Sequence, residues 1–124
     1  MKPRDIENLC YRAVGALSDG VAVTDTRGSI LFLNPAAEKL TGWECSQAVG
    51  KPLDDVLIMI DELHLNRYDL SVPDIIRRNE TIHLPDYLLL INKDLNEDVF
   101  VSGKCAPISE EDGTVLGAVL ILYD

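Results

Sequence analysis

The stretch Val21-Ala-Val-Thr-Asp-Thr-Arg-Gly-Ser-Ile-Leu-Phe-Leu-Asn-Pro-Ala-Ala-Glu-Lys-Leu-Thr-Gly42 decides the fold, because it reads as strand, tight turn, strand and capped helix with no slack between them. Residues 21–24 and 30–33 are short apolar runs rich in β-branched side chains. Between them Asp25-Thr26-Arg27-Gly28 puts Asp at the first and Gly at the last position of a type I turn. Asn34 stands where a helix N-cap is needed, its side-chain oxygen able to accept an orphan backbone N–H. Pro35 follows at the first helical position, where its missing N–H costs nothing. Gly42 supplies the left-handed residue just past the helix end.

Outward from this stretch the chain is organised in two directions. Residues 3–17 carry apolar side chains at Ile6, Leu9, Cys10, Ala13, Val14 and Leu17, the spacing of one helical face, with Asp5, Glu7, Asn8 and Arg12 opposite. A helix this short is marginal alone, so its stripe needs a cover, either the domain itself or a second copy. Beyond Gly42 the pattern predicts one helical turn over 46–49, a helix over 53–62 and another over 72–79, with Ser71 or Asp74 near its start. Strands follow over 81–92, 99–108 and 115–123, joined by turns over 93–98 and 109–113. The expected plan is α+β, a five-stranded antiparallel sheet with helices on one face, preceded by an N-terminal amphipathic helix. Residues 1–17 form the helix and 18–124 the domain.

The pattern Asp25-x-x-Gly28-x-Ile30-x-x-x-Asn34-x-Ala36-Ala37-x-x-Leu40-x-Gly42 resembles the opening of a PAS domain. The resemblance continues through Ala48-Val49-Gly50-Lys51-Pro52-Leu53 and through Ala106-Pro107-Ile108 with Asp112-Gly113-x-Val115-x-Gly117-Ala118-Val119-Leu120, and covers roughly residues 17–124. It implies a sensory or dimerisation module of a larger bacterial regulatory protein, with no catalysis of its own. By the same resemblance Asp124 lies where such a domain hands the chain to a connecting helix. The attached output would be a histidine kinase of a two-component system, a GGDEF-type cyclic-dinucleotide enzyme or a transcription regulator.

Composition narrows the partners. The formal net charge of −10 argues against nucleic-acid binding, which needs clustered Lys and Arg, whereas this chain has only the pair Arg77-Arg78. No apolar stretch reaches the length of a membrane span, and the N-terminus does not open as a signal peptide. Three well-separated cysteines, Cys10, Cys45 and Cys105, show no zinc spacing and read as reduced, mostly buried thiols of a cytoplasmic protein. A membrane-anchored parent protein is compatible with this.

Residues 30–33, 88–91 and 118–122 are continuous apolar runs, whereas an antiparallel sheet with one wet face should alternate. Both faces of the sheet are therefore expected to be covered. Helices between residues 35 and 79 can cover one, and the N-terminal helix or a partner's sheet the other. This predicts a homodimer, with Ile6, Leu9, Ala13, Leu17 and Asp124 as its dimer and signalling residues.

The remaining chemistry is thin. His64 and His83 lie in different predicted elements, so no metal site is expected. Asp94-Leu-Asn-Glu-Asp98 imitates a calcium loop, but Val99 and Cys105 occupy the positions of its Gly and closing Glu. Asp54-Asp55, Asp61-Glu62 and Glu110-Glu111 read as solvated charges. Flavin photoreceptors of the family carry an Asn-Cys-Arg-Phe string where this chain has Gly50-Lys-Pro-Leu-Asp-Asp-Val56, and haem-binding members place a His on the helix that here reads Val72-Pro-Asp-Ile-Ile-Arg-Arg-Asn79. No cofactor is identified, which leaves non-covalent flavin, stacked on Trp43, or a small metabolite. The cavity between sheet and helices would be lined by Phe32, Leu40, Trp43, His64 and Ile76. Two other readings remain: a ligand-free adaptor between proteins, and a small enzyme using the same cavity, which lacks a convincing nucleophile or base.

Overall fold

The computed structural model describes residues 3–94 and 98–123. In chain order the elements are α1 (Pro3–Gly15), β1 (Gly20–Thr24), β2 (Ile30–Leu33), α2 (Pro35–Thr41), α3 (Cys45–Ala48), α4 (Leu53–Val56), β3 (Met59–Asp61), β4 (Asn66–Tyr68), α5 (Val72–Arg78), β5 (Ile82–His83), β6 (Leu88–Leu90), β7 (Val99–Ser109) and β8 (Val115–Tyr123). The strands form one antiparallel sheet in the order β2-β1-β8-β7-β6-β3-β4, with β5 paired to β7.

The sheet has eight strands where five were expected. Two local causes account for the difference. The predicted helix over 53–62 ends after one turn, because Leu57 is already extended. From Leu57 to Asp61 the side chains then alternate between the core and the outside, the period of a strand. Met59 pairs with Leu90 and with Tyr68, so this segment continues the sheet. The predicted strand over 81–92 is in turn broken into β5 and β6, with Tyr87 at φ 66° marking the break.

The hairpin at the start is built from local bonds. Gly28 donates its N–H to the Asp25 carbonyl at 3.2 Å, and the Asp25 carboxylate accepts from the N–H groups of Arg27 and Ser29 at 2.9 and 3.0 Å. Gly28, at φ 90°, adopts the left-handed backbone that the turn requires. α2 begins at Asn34, whose side chain accepts from the Ala37 N–H, and stops at Gly42, at φ 78°, whose N–H reaches the Glu38 carbonyl.

Helices α2 to α5 share one face of the sheet. Ala37, Ala48, Leu53, Val56, Val72 and Ile75 from these helices join Ala22, Leu33, Leu88, Leu90, Val101, Leu120 and Leu122 from the strands in a single buried cluster. Each fully buried Leu or Ile contributes about 1.5–3 kcal/mol relative to exposure, so this cluster is the main source of stability.

α1 is helical, and among the described residues most of its apolar stripe is exposed. Leu9 is 57% and Leu17 51% exposed, and Cys10 and Ala13 are exposed as well. The spacing leaves the cover open between the domain itself and a second copy; here Val14 is half-buried, and the Asn34 side chain bonds its carbonyl. The side chain of Ile6, and Asp124 altogether, lie outside the described residues. Among the described residues no helix is long and apolar enough to cross a membrane.

Candidate functional site

The space between sheet and helices, expected either to take a small ligand or to be filled by side chains, is occupied by side chains. Ile30, Leu33, Met59, Leu88, Leu90, Leu120 and Leu122 are all at 2% exposure or less there. Leu40, Trp43 and Ile76 pack against this cluster as half-buried residues. Phe32 does not, since it pairs with Val23 on the opposite face of the sheet. His64 is also elsewhere, on the turn between β3 and β4, with its side chain 67% exposed. The five candidates thus divide among three places and do not line one cavity.

His64 has a partner that sequence spacing did not bring out. Its Nδ1 lies 2.8 Å from Asp61 Oδ2, and since a carboxylate only accepts, the ring nitrogen is the donor. Asp61 Oδ1 accepts from the Leu63 and His64 backbone N–H groups at 3.0 and 3.2 Å. The His64 ring N–H holds the Asp61 carboxyl below its ordinary value, against a smaller opposing push from burial, with further help from those backbone N–H groups. Asp61 is therefore a turn-capping residue at the edge of the core, and not the solvated charge its neighbour Glu62 suggests. No group of three His, Cys, Asp or Glu able to hold a metal ion occurs among the described residues.

Trp43 was a conceivable stacking platform for flavin. Its ring instead carries the ammonium of Lys93 at 4.2 Å, with that of Lys51 at 5.8 Å from the ring centre. Both are cation–π distances, which draw lysine to the aromatic face. The three thiols differ sharply in surroundings. Cys10 is exposed and Cys45 half-buried, its Sγ 3.3 Å from the Leu33 N–H. Cys105 is buried, and burial pushes its thiol up to about 11, which keeps it protonated and inert at neutral pH.

The second face of the sheet is apolar. Strand pairing sets Val21 opposite Ile121, Val23 opposite both Val119 and Phe32, and Ala106 opposite Val119 on this face. Leu89 and Phe100 extend it across β6 and β7. Val23, Phe32, Ala106, Ile108, Val119 and Ile121 are only half-buried, while Tyr123 is 43% and Phe100 56% exposed. Lys104, opposite Ile121, is the charged residue within this apolar field. Leu9, Ala13 and Leu17 of the N-terminal stripe are themselves exposed.

Two buried carboxamides organise the connections. Asn34, fully buried, accepts through Oδ1 from the Val21 and Ala37 N–H groups at 2.8 and 2.9 Å. Its Nδ2 donates to the carbonyls of Val14 and Asp19 at 3.2 and 2.9 Å. Asn92, also buried, donates to the Lys39 and Leu40 carbonyls at 2.8 and 3.2 Å and accepts from the Asp94 N–H. It thereby satisfies the C-terminal carbonyls of α2 from a loop more than fifty positions away in the chain. The cap of Asn34 is visible in its neighbour Pro35, but Asn92 has no local signal at all. Beside Asn34, between α1 and α2, lies a surface cleft of about 440 Å³ bounded by Arg12, Phe32, Glu38 and Cys45.

Comparison with known proteins places this architecture. A family model described as PAS fold matches residues 9–124. The sensor protein kinase WalK of Staphylococcus haemolyticus is 30% identical over 108 residues, which are 87% of this chain and 16% of that protein. The probable diguanylate cyclase DgcE of Escherichia coli is 29% identical over 113 residues, 88% of this chain and 10% of that protein. The chain thus spans less than a fifth of the length of these curated relatives. The crystal structure of a PAS domain from Colwellia psychrerythraea superposes with a TM-score of 0.70 at 23% identity, covering 97% of each chain.

Proposed function

This chain belongs to the PAS fold family, and from that premise we propose that it is the sensory module of a larger regulatory protein, which forms a homodimer and passes a conformational signal to an attached output domain. The relatives are named as a kinase and a probable cyclase, so phosphoryl transfer and cyclic-dinucleotide synthesis are the two outputs this reading favours. The module itself contributes no catalytic group. In the same reading the N-terminal helix, 1–17, and the domain body, 18–124, are separate working parts of a cytoplasmic segment.

One observation carries the proposal: the apolar second face of the sheet, with Val23, Phe32, Val119 and Ile121 half-buried and Tyr123 and Phe100 exposed. A surface of this kind on an otherwise strongly acidic chain is the mark of an association site. Sedimentation equilibrium at protein concentrations on the order of tens of micromolar, where associations of about −6 to −7 kcal/mol populate the complex, tests it. The dimer is expected for the native chain and the monomer for Val119→Asp, with unchanged circular dichroism. A native chain that stays monomeric overturns the dimer.

A second reading is favoured by the filled core. With Leu33, Met59, Leu90 and Leu120 occupying the space between sheet and helices, the module works as a ligand-free adaptor whose inputs are proteins. Native mass spectrometry of the purified chain is expected to give the polypeptide mass alone. A retained small molecule would replace the adaptor with a ligand sensor.

A further inference from the structure

We propose that the β3–β4 hairpin is a docking arm for a second copy of this chain: its tip, Leu63-His64-Leu65, seats in the cleft walled by Tyr87 and Phe100 of the other copy, whose own tip seats in return. The inference rests on the homodimer proposed above and names a contact at its rim.

The tip is ordered and held away from the core. Leu65, Leu63 and Tyr87 are the three most exposed large apolar side chains among the described residues. Asp61 fixes the turn that presents the two leucines, through its bonds to the Leu63 and His64 backbone N–H groups and to the His64 ring. Leu65 takes a left-handed backbone, φ 56°, with no burial to offset it. A turn fixed in this way loses little freedom when a partner covers its leucines.

The receiving cleft, of about 480 Å³, is bounded by Asp86, Tyr87, Phe100, Val101 and Ser102. Tyr87 is itself left-handed, at φ 66°, and its carbonyl accepts from the Glu62 N–H at the root of the hairpin at 3.1 Å. Knob and hole thus lie at one end of the sheet, and because Leu63 and Leu65 are exposed, a chain does not fill its own cleft. A second copy is the occupant these features select. In a two-fold contact every residue pair occurs twice, so a knob beside a hole closes on its own image. The cleft is continuous with the apolar second face of the sheet, since Phe100 pairs with Leu89 and Ser102 with Tyr123. Polar groups match as well. His64 turns Nδ1 to Asp61, which leaves Nε2 to accept from the Ser102 hydroxyl or, once protonated, to donate to the Asp86 carboxylate. Glu62 meets the same acidic rim, so the contact relies on its apolar part.

A double-mutant cycle read by sedimentation equilibrium on the full chain tests the arm. The tip variant Leu63→Ser/Leu65→Asn and the cleft variant Phe100→Thr are expected to keep the native circular dichroism, because all three side chains are exposed and Asn suits the left-handed position. Each is expected to weaken the dimer by about tenfold or more, and the two together by little more than either alone, since both remove the same contact. A dimer that the tip variant weakens by less than about twofold overturns the arm and leaves the leucines to another protein. Tip and cleft effects that multiply in full overturn it equally. A native chain that stays monomeric overturns the homodimer and the arm together, whereas a native dimer indifferent to the tip overturns the arm alone.

Discussion

Gly42 is the residue at which local and distant requirements meet. It ends α2 at φ 78°, and a Cβ there would lie 2.5 Å from Asn92 Oδ1 and 2.9 Å from the Asp94 nitrogen. Gly42→Ala is therefore expected to cost about 2–4 kcal/mol, left-handed strain and displacement of the Asn92 loop together, measured by urea denaturation. A loss under about 1 kcal/mol would mean that the loop yields freely. At Asp61 the depressed carboxyl stabilises the fold fully above the ordinary value of 3.8, and that contribution is lost as pH falls through the lowered one. His64→Ala is expected to move the Asp61 titration up towards 3.8 in a carbon-13 carboxyl titration, and an unmoved midpoint would show the ring N–H to be idle. What the sequence makes legible at this scale follows chain proximity. Asp25, Gly28, Asn34, Pro35 and Gly42 act on backbone within a few positions of themselves, and turn and cap chemistry can be read from neighbours. Asp61 looked like one of two surface acids because its histidine lies a turn away, and Asn92 meets α2 only after the chain has folded back. The donor half of Asn34 is hidden for the same reason, since the Val14 carbonyl reaches it through tertiary structure.

At the scale of elements, the first hairpin, α2 and the two long C-terminal strands were legible, because apolar runs bounded by turn residues left one assignment for each. The middle of the chain was not. Residues 53–62 contain enough apolar side chains for a helix, and their alternation becomes visible only once Asp61 is allowed inside. The β3–β4 hairpin that results turns at Leu65, which has φ 56° and is 81% exposed. A branched residue in the left-handed region is strained, and exposure leaves it no packing in return. Leu65→Asn is thus expected to stabilise the fold by about 0.5–1 kcal/mol, since Asn tolerates this backbone and little burial is lost. A lowered midpoint in thermal or urea unfolding would mean that Leu65 is buried against something in solution.

For the whole molecule, charge and apolar surface pull in opposite directions. Each chain carries a formal −10, so two copies joined at the second face of the sheet repel across the interface. Raising ionic strength from about 0.02 to about 0.3 M shortens the screening length from roughly 20 to 6 Å, and the dimer is expected to tighten severalfold in sedimentation equilibrium. Weakening by salt would point to attractive charge pairs, for instance at Lys104, as the source of association. The sheet order has one more consequence. β1 lies beside β8, with Gly20 opposite Leu122, so the chain enters and leaves the domain side by side. A pull applied between those two points would not shear the sheet; it would open it like a zipper, one hydrogen-bonded pair at a time, starting at Gly20 and Leu122. Tension between the two ends is felt first at the Gly20–Leu122 pair, one residue from the Val21 N–H that the Asn34 carboxamide holds, and the rest of the domain stays mechanically quiet until that pair has parted.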